Sequence, residues 1–345
     1  MIQFKFKRNQ ENDYNSKKSD NHIPMNLDLL VTNLTNPTLL FFILGIIAAM
    51  IKSDLEIPES SFKFISLYLL FSIGFKGGQE LAHSDIDSDV VLSLLFGLCI
   101  ASLIPFYTFF ILKRRLDVSN AGAIAAAYGS VSAVTFVAAS SFLEFQHIEF
   151  GGHMVAVMAL MEFPAIVVGV LLIKKFDQQK EEKISIKSTL MHSISNGSVL
   201  MIVGSLVIGY ISDDKQALDI KPFTTDIFKG FLAIFLLEMG ITTAKRFSAF
   251  RKNGWFVFIF SLVVPCINGC LVALASGLIT SDVGNRFILS ILAASASYIA
   301  VPAAMRLVAP KADPGLYIPM ALGITFPFNI TLGMPLYYAI VTYTL

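Results

Sequence analysis

Ten apolar stretches, parted by short polar breaks, dominate the chain after residue 36. They fall at about 37–52, 60–80, 89–112, 121–142, 152–175, 194–212, 223–243, 254–279, 286–308 and 317–343. Most approach the roughly 20 residues that a helix needs to cross a bilayer. The longest polar interruption, Lys174 to Ser193, divides the ten into two sets of five. Residues 1–24 are polar, without apolar periodicity, and read as a disordered tail that need not be native. The pattern predicts a first five-helix repeat over 25–175, a cytoplasmic linker over 176–193 and a second repeat over 194–345.

The two sets resemble each other. Ala126-Ala127-Tyr128-Gly129-Ser130-Val131-Ser132-Ala133-Val134-Thr135 lies in the fourth stretch, and Ala293-Ala294-Ser295-Ala296-Ser297-Tyr298-Ile299-Ala300-Val301-Pro302 in the ninth. A shift of 167 positions aligns Ser130 with Ser297 and Ala133 with Ala300. Gly74 pairs with Gly240, Gly45 loosely with Gly204, and Met158-Ala159-Leu160…Phe163-Pro164 with Met320-Ala321-Leu322…Phe326-Pro327. An odd number of spans per repeat inserts the second upside down. The predicted fold is an all-α membrane protein, ten transmembrane helices in two inverted five-helix repeats with crossing discontinuous helices.

Composition agrees. The 345 residues are 55% hydrophobic and only 15% charged, well below a soluble domain. Sixteen of the 26 basic residues fall on one side of the predicted topology, including Lys113, Arg114, Arg115, Lys174 and Lys175. That side is the cytoplasm. Both termini then face outward across the cytoplasmic (inner) membrane. Cys99, Cys266 and Cys270 lie within spans without metal-ligand spacing and read as small buried residues. No metal site beyond sodium is expected. HExxH, GxSxG and Walker motifs do not occur, so neither an enzyme nor ATP drive is predicted.

The candidate chemistry sits in the fourth and ninth stretches. Gly129 can end one half-helix in a left-handed conformation, with Ser130 or Ser132 capping the next. Ser297 can cap in the second copy, with Pro302 in the first turn beyond. Two half-helix N-termini facing one point at mid-depth form an anion site, since free N–H groups and positive dipole ends converge there. The alternative is close packing of small residues. Ser130, Ser132, Ala133, Thr135, Ser295, Ser297 and Tyr298 are the candidate substrate-binding residues. Glu162 is an intramembrane carboxylate, which serves cation coupling with Ser297 or else bonds a kinked backbone beside Pro164. Asn329 can donate to a carbonyl or to a polar ligand.

These residues resemble the sodium-dependent bicarbonate transporters first recognised in cyanobacteria. The likeness runs over nearly the whole chain after Met25: NPTLLFFILG, IPES, Gly77-Gly78, YGSVSAVTFVAA, MEFPA and AASASYIAVPAAMR. It implies a core domain of crossing broken helices, a gate domain, a homotrimer, bicarbonate at the crossing and sodium nearby. It also implies a small PII-like protein at the cytoplasmic face. Ser132, Thr135, Ser295 and Ser297 match the family's hydroxyl positions. Ala133 and Val134 replace a glycine and a serine, Tyr298, Ala300 and Val301 stand for aspartate, serine and glycine, and Glu162 for an aspartate. The sequence therefore predicts a secondary active transporter taking up bicarbonate with sodium by alternating access. A transporter of another small anion, such as an organic carboxylate, and an anion-sensing membrane protein are the alternatives.

Overall fold

Apolar runs interrupted by proline, glycine and serine give long helices with a few deliberate breaks. A computed structural model describes residues 35–83, 87–177, 197–250 and 254–345. The expected tail over 1–24 and nearly all of the 176–193 linker lie outside the described residues. The described residues contain helices and no strand.

In the first half, α1 is Pro37–Met50, α2 Glu59–Ala82, α3 Ser88–Leu112, α4 Val118–Gly129, α5 Ala133–Phe145 and α6 His153–Phe176. In the second, α7 is Gly197–Ile211, α8 Asp214–Lys221, α9 Phe228–Phe250, α10 Trp255–Ala275, α11 Val283–Ala294 and α12 Ala300–Val308. The last helix, α13, runs over Pro314–Tyr343. A π-helical turn, Pro222–Asp226, leads from α8 towards α9, so helical structure starts at Asp214 where hydropathy marks 223. Polar residues such as Asp214, Lys215 and Lys221 hide that first part from a hydropathy count.

Among the described residues, six helical stretches are long and apolar enough to cross a membrane: Ser88–Leu112, Val118–Phe145, His153–Phe176, Asp214–Lys245, Trp255–Leu278 and Pro314–Tyr343. The chain is thus a multi-pass membrane protein. Three expected spans appear as shorter apolar helices, Pro37–Met50, Gly197–Ile211 and Val283–Ala294. At about 1.5 Å per residue, the 14 residues of α1 rise about 21 Å, less than a bilayer core of about 30 Å. The second expected span, α2, is long enough but carries Glu59, Lys63, Lys76 and Glu80.

Packing divides the helices into two bundles. In the first, α1 packs on α9 and α2 on α7. Backbones meet there at glycine: a Cβ on Gly45 would strike the Leu237 carbonyl, and one on Gly240 the Phe42 carbonyl. At the α2–α7 crossing Gly74 meets Ile202, and Gly209 meets the Phe75 carbonyl. Gly209 is therefore the glycine at which α7 meets α2. Gly204, the sequence-based choice, faces open space. In the second bundle α3 packs on α4 and α6, and α10 on α11 and α13. The broken pairs interlock: α4 packs on α12, and α11 on α5.

Candidate functional site

The two breaks begin alike. Asp117 and Asp282 cap α4 and α11, accepting from the N–H of Asn120 at 2.9 Å and of Asn285 at 2.7 Å. Both helices end in an extended serine, Ser130 at φ −84°, ψ 175° and Ser295 at φ −85°, ψ 170°. Gly129 is accordingly not left-handed. It is the last residue of α4, and its missing side chain makes room for the Pro105 ring. The capping serines are 165 positions apart, whereas the following half-helices start 167 apart, at Ala133 and Ala300. Two additional residues occupy the second break, and Tyr298 lies there.

The breaks tie to each other at the crossing. The Ser132 N–H donates to the Ser295 hydroxyl at 3.0 Å, and the Ser297 N–H to the Ala127 carbonyl at 2.8 Å. Each broken pair thus satisfies a backbone donor of the other, as irregular backbone buried away from water requires. Ser132 is the N-cap of α5, its hydroxyl accepting from the Thr135 N–H at 3.1 Å. The Ser297 hydroxyl accepts from the Val301 N–H at 3.3 Å, just inside α12. The N–H groups of Ala133 and Val134 in the first turn of α5 have no acceptor among the described residues.

A small cavity of about 30 Å³ lies beside the crossing. Ser132, Ala133, Ser297, Tyr298 and Glu162 line it from the crossing bundle, and Ser66, Leu69, Leu70, Ser198 and Phe235 from the other. Most of the wall is apolar. Glu162 Oε2 and the Tyr298 hydroxyl are buried without a hydrogen-bond partner among the described residues. The Ser130 hydroxyl is likewise buried and unpartnered, but it does not line the cavity. Thr135 is buried behind the N-terminus of α5. Ser295 is engaged as a brace, donating to the Leu292 carbonyl at 2.9 Å while accepting from Ser132. The structure thus brings Ser132, Ala133, Ser297, Tyr298 and Glu162 to one cavity and leaves Ser130, Thr135 and Ser295 around it.

A wider cavity of about 370 Å³ lies further along α2 and α5, with Lys76, Glu80, Ser140, Glu144 and Glu149 in its wall. Glu144 forms an ion pair with Lys229 at 3.0 Å. The polar end of that cavity contrasts with the apolar wall at the crossing.

Other polar residues bond the scaffold. Asn329 donates to the Ala294 carbonyl at 2.7 Å, satisfying an acceptor that the end of α11 leaves open. Glu238 accepts from the Ile57 N–H at 3.3 Å and from Thr242 at 3.2 Å. Sequence reasoning missed Thr325, whose hydroxyl donates to the Ser261 carbonyl at 2.7 Å and bonds the Tyr128 hydroxyl at 2.8 Å. Thr325 precedes Phe326-Pro327 as Glu162 precedes Phe163-Pro164. The α13 copy has one more residue between its Met-Ala-Leu and Phe-Pro segments, and the π-helical turn Ala321–Thr325 absorbs it. Asp117-Val118-Ser119-Asn120 and Asp282-Val283-Gly284-Asn285 are the signal that fixes the register of α4 against α11.

The sequence profile described as the Na+-dependent bicarbonate transporter superfamily matches residues 37–342. The match covers both broken pairs, both bundles and the cavity between them, and the chain belongs to this superfamily. No curated protein matches the chain.

Proposed function

We propose that this chain is a secondary active transporter of a small anion, with bicarbonate as substrate and sodium as the driving ion. The observation that carries this reading is the crossing itself. Two half-helices start there, the N–H groups of Ala133 and Val134 have no acceptor among the described residues, and Ser132, Ser297 and Tyr298 line one cavity. Helix N-termini stabilise anions through both donors and dipole. The superfamily's description supports bicarbonate and sodium in particular.

Alternating access follows from the cavity's place and size. About 30 Å³ suits a single water-sized occupant, so the bundles must move apart to admit a larger anion. Residues from both bundles line that cavity, which makes it the plane of sliding. The reciprocal pairs α1–α9 and α2–α7, and α4–α12 and α5–α11, support two inverted five-helix repeats. In this reading α1, α2, α7 and α9 form the gate and the other long helices the moving core. The protein sits in the cytoplasmic membrane with both termini outside, as a homotrimer that a PII-like protein binds from within.

The apolar wall of Leu69, Leu70, Val134 and Phe235, with the Tyr298 ring, favours a second reading, an organic carboxylate as substrate. Equilibrium binding with Ser132→Ala combined with Ser297→Ala tests the crossing site. A hydrogen bond to a charged ligand is worth about 1.5–3 kcal/mol, so the double variant loses roughly two to four powers of ten in anion affinity. Unchanged affinity in the folded double variant refutes the assignment.

A further inference from the structure

We propose that the corner where α3 and α6 end binds an anionic phospholipid, its phosphate on basic side chains and its acyl chains along an apolar stripe beside them. This goes beyond the transport reading and does not depend on it. Two basic runs meet at this corner. Lys113-Arg114-Arg115 directly follow α3, and Lys174-Lys175 lie in the last turn of α6. Ring contacts bring the two ends together: Phe109 and Phe110 lie 5.5 and 5.6 Å from Phe176. Lys113 Nζ sits over the Phe176 ring at 3.6 Å, and Lys175 Nζ is 5.8 Å from the same ring.

An ammonium on a ring face is held by the ring's quadrupole, so Phe176 fixes where Lys113 presents its charge. Arg114 and Arg115 are exposed. Among the described residues, Lys113, Arg114, Arg115 and Lys175 form no ion pair. The acids flanking the two runs are Asp117 and Asp177, so the corner keeps a positive excess. Asp117 already accepts from the N–H and the side-chain amide of Asn120 at the start of α4.

The apolar stripe decides what kind of anion the corner takes. Phe106 continues along α3 from Phe110, their rings 5.3 Å apart. Leu103, Phe106 and Phe110 are exposed at a spacing that places them on one helix face. Leu171 is exposed on α6. A soluble anion or an acidic protein uses the charges and leaves this stripe bare. A phospholipid uses both. Arginine grips a phosphate through two parallel N–H bonds, and a cluster of about four to eight basic residues at the end of a membrane helix suits an anionic headgroup.

The test uses the full chain, stripped of lipid in detergent and titrated with phosphatidylglycerol or phosphatidylcholine, with lipid adducts read by native mass spectrometry. Wild type is expected to bind phosphatidylglycerol more tightly than phosphatidylcholine, and the preference is expected to shrink as ammonium acetate is raised. Arg114→Gln combined with Arg115→Gln is expected to lower phosphatidylglycerol affinity by about fivefold for each arginine removed. Lys52→Gln combined with Lys63→Gln removes the same charge elsewhere and is expected to keep the wild-type affinity. The wild-type comparison of the two lipids decides the matter even where a variant fails to fold. Equal wild-type affinity for the two lipids, a preference indifferent to ammonium acetate, or an equal loss in the Lys52 and Lys63 pair overturns the inference. So does inorganic phosphate or polyglutamate that binds as tightly as phosphatidylglycerol, since the stripe then contributes nothing. Each of these results leaves the transport reading intact.

Discussion

At the residue scale, small side chains and a few hydroxyls decide how close the backbones come. Gly129 shows why a motif alone misleads. Its place before a break invites a left-handed cap, yet the chain leaves α4 through an extended Ser130, and glycine is needed because the Pro105 ring occupies the space of a Cβ. Gly129→Ala is expected to cost about 1–3 kcal/mol through overpacking. Thermal unfolding in detergent checks it, and a melting point equal to wild type contradicts the contact. A serine cap was legible from residue type and place, since a serine before a helical run accepts from its first turn, but the sequence left Ser130 and Ser132 open and the structure selects Ser132. The bracing role of Ser295 was not, since it depends on a partner 163 positions away. Outside the spans, His83 closes α2 with its Nδ1 donating to the Gln79 carbonyl at 2.7 Å and its Nε2 3.0 Å from Asp214. The Gln79 bond first, and the Asp214 charge second, raise its pKa above the ordinary imidazole value. A raised imidazole pKa adds stability that is complete below about pH 6.5 and is lost as pH rises through the folded value. Asp214→Asn is expected to bring the His83 midpoint down towards its ordinary value in an NMR titration. An unmoved midpoint contradicts the pairing.

At the element scale, the places of most helices were legible because apolar runs are long and their breaks are polar, but not all of their lengths, since three expected spans are shorter helices. The register of the two broken pairs against each other was not legible. The 167-position shift holds for the starts of α5 and α12, but the capping serines stand 165 apart, since the second break is two residues longer. An insertion inside an apolar segment leaves hydropathy unchanged, so hydropathy alone does not reveal it. The same holds for α13, where the π-helical turn Ala321–Thr325 takes up one residue. Deleting Gly323 is expected to turn that stretch into regular α-helix and to rotate Thr325 away from Ser261 and Tyr128. A melting point lowered by several degrees, with anion uptake lost, is the expected outcome. Wild-type stability and uptake contradict a structural role for the turn. The α1–α9 crossing makes a parallel prediction. Gly240→Leu places a side chain into the Phe42 carbonyl and is expected to prevent α1 from docking, read as rapid proteolysis within the first half. Wild-type protection contradicts the close approach.

At the scale of the whole molecule, two bundles share one cavity, and each half of the chain contributes to both bundles. Hydropathy and the low share of charged residues were enough to read a multi-pass membrane protein. The division into bundles was not readable from spacing, because α1 packs on α9 and α2 on α7, partners that lie in opposite halves of the sequence. The polarity of the site was legible only in part. The serines stand out in an apolar run, but the walls of Leu69, Leu70 and Phe235 come from helices whose sequences look like any lipid-facing span. The central claim is that the crossing carries an anion through the membrane under cation drive. It is tested most directly by uptake of labelled bicarbonate into proteoliposomes of wild-type protein, with and without a sodium gradient, at a pH where bicarbonate dominates. Uptake that rises with the sodium gradient is the predicted result. Uptake equal to that of empty vesicles, by protein shown to be folded and inserted, contradicts the account.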